Sequence, residues 1–167
     1  VMTDWDGTLL NDNHEIGPEN RQALKTLMAK GVKIVFSSGR MYKAIRRITK
    51  GFDDGGVIAA CNGGYIMDRQ SGLLLSESVF DFHTSLAVID VLEKRGLSHH
   101  FYTGDAVYAR HGENATRYRS MQGFFDELKI SLIAHSPLGA FIHEGVKPHK
   151  FGVILDAQTD IQELKTA

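Results

Sequence analysis

The stretch Asp4-Trp5-Asp6-Gly7-Thr8-Leu9-Leu10 follows directly on Val1-Met2-Thr3, an apolar, β-forming stub. Two carboxylates therefore leave the end of a strand and are followed by a glycine and a hydroxyl. In open α/β sheets, ligands collect just outside the carboxyl ends of the strands. Acids placed there suit a hard cation such as Mg2+ and an attack on phosphorus. A magnesium ion beside Asp4 would offset the repulsion between an anionic nucleophile and an anionic phosphate ester. Asp6, two residues on, can serve as general acid to a leaving group and then as base to water. Gly7 lets the backbone turn sharply and aim N–H groups at phosphoryl oxygens. An isolated Asp-x-Asp-Gly is also what an acidic surface turn looks like. Its position at the first strand end, continuing into Thr8-Leu9-Leu10, favours the site.

Outward from this stretch, strand and helix alternate. A polar turn at Asn11-Asp12-Asn13-His14 leads to Pro18, which opens a helix where its missing N–H costs nothing. Ala23, Leu24, Leu27 and Met28 recur at helical spacing, and Gly31 closes the helix. Val32 to Phe36 is a short buried strand ended by Ser37-Ser38-Gly39-Arg40. A second helix covers about Met41 to Lys50, with Ala44, Ile45 and Ile48 on one side. Val57 to Ala60 is a third strand, closed by Asn62-Gly63-Gly64. Strands that are apolar throughout, with helices between them, predict a parallel sheet covered on both faces.

Beyond about Asp68 the pattern changes to α+β. Leu73 to Leu75 reads as a strand, and Asp81 as the N-cap of a helix whose stripe is Phe82, Leu86, Ile89 and Leu92. Ser98 to Tyr102 and Ala106 to Arg110 read as a hairpin across Thr103-Gly104-Asp105. Helices are expected over 114–125 and 159–165, and a strand over 150–155. Residues 126–149 carry no clear pattern.

At 167 residues, 43% hydrophobic and 23% charged, the chain can bury a core. A net charge of −1, with no Lys/Arg run longer than two, gives no reason to expect nucleic acid or an anionic membrane as partner. A single cysteine, Cys61, excludes an internal disulfide and suits a reducing cytoplasm. No membrane span or signal peptide is visible in the sequence, and the oligomeric state is left open. Of the eight histidines, none forms an HExxH or an i,i+4 pair, and His99 and His100 read as surface residues on opposite strand faces. Tyr102 and Tyr108 read as hairpin packing. Neither GxGxxG nor GxxxxGK occurs.

The sequence DWDGTLL resembles the first motif of haloacid dehalogenase-superfamily phosphatases. SSGR resembles their second motif, often TGR in the Cof-type branch, and Asn62-Gly63 the step after the third strand. The resemblance implies a Rossmann-like core, present in part over residues 1–69, with an inserted α+β cap over 70–167. It implies that Asp4 is the nucleophile and a magnesium ligand. Asp6 is the general acid/base and lends its main-chain carbonyl to the metal. The backbone of Trp5, the Ser38 hydroxyl and the Gly39 N–H face the phosphate, with Thr8, Arg40 and Asn62 near the substrate. The resemblance also implies that Thr8 holds Asp6 in position. Some of these residues have an ordinary use as well: Ser38 suits a helix cap, Arg40 a solvated charge, Asn62-Gly63-Gly64 a turn, and the Trp5 indole the core.

The family's later lysine and its GDxxND-like acidic loop are absent, so the chain is expected to be truncated. Lys147 and Lys150 read as solvated loop charges. The expected function of the intact protein is Mg2+-dependent hydrolysis of a small phosphorylated metabolite, such as a sugar phosphate or a phosphorylated cofactor. The alternatives are a catalytically silent fragment or binding module, and a phosphomutase.

Overall fold

The computed structural model describes residues 1–13, 15–52, 55–110, 131–135 and 137–155. The helices expected over 114–125 and 159–165 lie outside them. In chain order the elements are β1 (Met2–Thr3), α1 (Pro18–Ala29), β2 (Val35–Ser37), α2 (Tyr42–Ile48), β3 (Val57–Ala60), β4 (Tyr65–Asp68) and β5 (Leu74–Glu77). They continue as α3 (Phe82–Lys94), β6 (Ser98–Tyr102), β7 (Ala106–Arg110), β8 (Ser131–His135), α4 (Gly139–His143) and β9 (Lys150–Ile154).

Two sheets form, ordered β1-β2-β3-β4-β5 and β8-β7-β6-β9. β1, β2 and β3 run parallel, with Thr3 beside Phe36 and Ser37 beside Ala59. Their carboxyl ends therefore share one edge. The sheet is mixed rather than purely parallel, because β4 and β5 return antiparallel from β3. Short reversals such as the five-residue turn between Asp68 and Leu74 permit this pairing, whereas parallel neighbours need a crossover. β5 is exposed along its length, including Leu74 and Leu75.

Local chemistry sets the helix ends. Pro18 opens α1, and Gly31, at φ 78°, follows its last turn while Val32 N–H donates to Leu27 O at 3.0 Å. Leu24 is buried and Leu27 and Met28 pack beside it; Ala23 is exposed. Asp81 caps α3 by accepting from Thr84 N–H at 2.9 Å. In the second sheet β6 pairs antiparallel with β7 and β9, while β7 and β8 run parallel. β8 and α4 both fall in the stretch that lacked a sequence pattern. No helix among the described residues is long and apolar enough to cross a membrane.

One hydrophobic cluster fills the space between the sheets and joins Trp5, Phe36, Ile45 and Ile58 to Val107 and Ala109 of β7. A second, built on Ile89, Phe101, Leu138 and Phe141, covers the far face of the second sheet. β6 is thus central and covered on both sides, which overturns the surface reading of its histidines: His99 and His100 are buried. Tyr108 stacks on Phe101 and meets Phe141 edge-on, as packing requires.

Burial, reinforced by the charges of Lys150 and His99, pushes the His100 pKa down from 6.5 to about 4. Above pH 6.5 this costs nothing. As pH falls from 6.5 towards 4, the unfolded chain takes a proton that the folded one refuses, so stability is lost. His100 should remove about 3 kcal/mol over that window. Urea unfolding at pH 7 and pH 4 checks it: His100→Gln should lose less stability on acidification than the parent protein by about that amount. Equal losses would exclude the effect.

Candidate functional site

Asp4 leaves β1 at the shared carboxyl edge. Behind it, Asp6 (φ −75°, ψ 121°) and Gly7 (φ 75°, ψ 4°) are the central residues of a type II turn. The second central position of that turn needs positive φ, which glycine adopts without strain. Leu10 N–H closes the loop onto Trp5 O at 3.0 Å. Trp5 is fully buried, its indole edge-on to Phe36 with ring centroids 6.0 Å apart. The two acids flank this anchor and are exposed. No side chain among the described residues pairs with the Asp4 carboxylate.

Asp6 is joined to the end of β2 by Arg40. Its guanidinium grips both Asp6 oxygens, Nη2 to Oδ1 at 2.6 Å and Nε to Oδ2 at 3.1 Å. Arg40 is therefore not a solvated charge. Asp6 takes its partner from 34 residues away rather than from Thr8, which is exposed.

Ser38 is buried, and its Oγ accepts from Arg40 N–H at 3.1 Å. The N-cap of α2 is Met41, so the helix-cap reading of Ser38 fails. Every carbonyl of residues 38–40 is held. Asn62 N–H donates to Ser38 O at 3.1 Å, Cys61 N–H to Arg40 O at 2.9 Å, and Lys150 Nζ to Gly39 O at 3.1 Å. In a trans peptide the N–H points opposite to the C=O. With Ser38 O turned to Asn62, the Gly39 N–H points the other way, and it has no partner among the described residues.

The clamp is built from strained backbone. Cys61 (φ 51°) and Asn62 (φ 59°) both occupy the left-handed region, where non-glycine residues are uncommon. Gly39 is crowded on the clamp side: a Cβ there would lie 2.8 Å from Asn62 Oδ1 and 3.2 Å from Lys150 Nζ. Asn62 is thus brought to the site, with Gly63 and Gly64 forming the turn behind it. Lys147 is exposed, as expected of a loop charge. Lys150 is half-buried, its ammonium 5.6 Å from the Tyr102 ring centre, which corrects its reading as a solvated charge. The sequence signal for it is only a lysine opening an apolar strand, a pattern that surface strands share.

Asp4 and the Asp6 carbonyl are oxygen donors of the type Mg2+ takes while keeping several waters, so these residues fit part of its shell. No group of three His, Cys, Asp or Glu gathers among the described residues. A separate cleft of about 1030 Å³ lies between α2 and the 103–105 turn, lined by Lys43, Arg46, Arg47 and Lys50 on one side and Tyr65 and His149 on the other.

The chain is similar in sequence to known phosphatases. The chain is 31% identical over 105 residues to a 5-amino-6-(5-phospho-D-ribitylamino)uracil phosphatase of Bacillus subtilis, covering 63% of this chain and 36% of the relative. It is 29% identical over 108 residues to phosphatase YwpJ of the same organism, covering 65% and 38%. The crystal structure of TM0651 from Thermotoga maritima superposes with a TM-score of 0.74 at 22% identity, covering 99% of this chain and 59% of that one. The chain spans about half the length, or less, of the relatives it matches. Residues 1–166 match the family model of haloacid dehalogenase-like hydrolases, and the chain belongs to that family.

Proposed function

We propose that the protein carrying this chain is a phosphoric monoester hydrolase that works through an aspartyl-phosphate on Asp4. One observation supports it above the rest. The carbonyls of residues 38–40 are all turned back into the protein, leaving the Gly39 N–H and the Ser38 hydroxyl as donors beside two carboxylates on one sheet edge. A loop with its acceptors withdrawn and a donor presented is suited to an anion.

In the proposed reaction an Asp4 oxygen attacks phosphorus and the ester P–O bond breaks, the leaving oxygen taking a proton from Asp6. Asp6 then removes a proton from water, which attacks phosphorus, and the Asp4–phosphorus bond breaks. Inorganic phosphate leaves and Asp4 returns as a carboxylate. Because Arg40 occupies both Asp6 oxygens, Asp6 must give up part of that pairing before it can pass a proton. The Trp5 backbone, Ser38 and Gly39 hold the phosphoryl oxygens. Thr8, Arg40 and Asn62 border the substrate. Asp4 and the Asp6 carbonyl would hold Mg2+, which when bound offsets the repulsion between nucleophile and phosphate.

The substrate class is a small phosphorylated metabolite, a sugar phosphate or a phosphorylated cofactor precursor, and a cytoplasmic location belongs to the same proposal. Residues 1–69 would be part of the hydrolase core and 70–167 part of its cap, with β5 at the seam because it pairs with β4. The full-length protein should hydrolyse p-nitrophenyl phosphate when Mg2+ is present and stop on complete chelation. Turnover that survives chelation removes the metal role, and no turnover under either condition removes the hydrolase reading.

A further inference from the structure

We infer that Lys150 is a positioning residue through which the second sheet controls the anion affinity of the loop at 38–40. The inference rests on the hydrolase reading above and adds a residue to it. Two of the three bonds that hold the loop carbonyls come from the left-handed turn at Cys61 and Asn62, within the same sheet. The third comes from Lys150, 111 residues away at the start of β9. It is the bond that any displacement of the second sheet would break first.

A neutral donor could satisfy the Gly39 carbonyl as well as an ammonium does. Here a full charge is placed half-buried beside Tyr102, and no carboxylate pairs with it among the described residues. An uncompensated cation in a partly desolvated place is costly unless an anion completes it. Its field reaches the surrounding interior, adding to the burial that holds the His100 pKa down and working against the burial that pushes the Cys61 thiol up to about 11. The ammonium also keeps the Gly39 carbonyl dipole turned away from the loop's free N–H side. Without it, that carbonyl is free to rotate towards a bound anion and repel it. Seating of the second sheet and affinity for the phosphoryl group are then linked, each favouring the other.

The test uses the full-length protein, its Lys150→Met and Lys150→Arg forms, p-nitrophenyl phosphate as substrate and inorganic phosphate as product inhibitor. Lys150→Met should raise KM and the phosphate inhibition constant together by about tenfold, the size of one charge-assisted hydrogen bond, with kcat changed less than about threefold. Lys150→Arg, which keeps charge and donor, should recover most of the loss. Unchanged KM and phosphate inhibition in Lys150→Met would overturn the inference, as would a fall in kcat alone. Should the methionine form fail to fold, Lys150→Gln, which keeps a donor without charge, carries the same criteria. The parent protein separates the two readings. If it neither turns over substrate nor is inhibited by phosphate, the hydrolase reading fails and this inference with it. If it does both, only the role of Lys150 is at stake.

Discussion

Asp4→Asn should abolish phosphatase activity in the full-length protein, by on the order of 10⁴-fold or more, while leaving its stability within about 0.5 kcal/mol of the parent. The two halves of this expectation have separate causes. Asparagine matches aspartate in shape but is too poor a nucleophile at phosphorus, so the covalent route closes and only the positioning of the site remains. The carboxylate itself is exposed and pairs with no side chain among the described residues, so the fold does not depend on it. Steady-state hydrolysis of p-nitrophenyl phosphate with Mg2+, run beside thermal unfolding, reads both. Activity equal to the parent's would remove the nucleophile assignment. An inactive protein that is also unfolded would contradict the claim that Asp4 is spared from structural work.

Trp5→Ala should have the opposite signature, a loss of about 3–5 kcal/mol in stability. The indole is fully buried and edge-on to Phe36, which in turn packs on Phe52 with centroids 6.0 Å apart. Truncation to alanine opens a cavity under the turn that carries both acids. Trp5 Nε1 has no hydrogen-bond partner among the described residues, so the cost is one of packing rather than of a lost bond. Trp5→Phe should therefore recover much of the loss. Urea unfolding of both forms is the measurement, and a loss below about 1 kcal/mol for alanine would show that the indole does not anchor the turn.

Much of this site was legible from residue order. The alternation of apolar strands with capped helices, Gly7 after Asp6, and Ser38-Gly39 after a short strand are all short-range features. Strand propensity, turn chemistry and helix period act over a few residues, so the sequence displays them directly. The hairpin of β6 and β7 and the Asp81 cap are legible for the same reason. β8 and α4 were not, because neither has a clear period and β8 pairs in parallel with β7, a choice its own residues do not encode.

What the amino-acid order determined by itself was which groups are available at the edge: two carboxylates on a glycine turn, a serine, and a glycine. What only the tertiary structure decided was their pairing. Arg40 closes on Asp6 across 34 residues and Lys150 on Gly39 across 111, and His99 and His100 are buried because β6 is covered on both faces. The physical reason is range. A turn is fixed by the dihedral preferences of adjacent residues, whereas a charge finds its partner, and a strand its cover, only when packing has brought distant segments together.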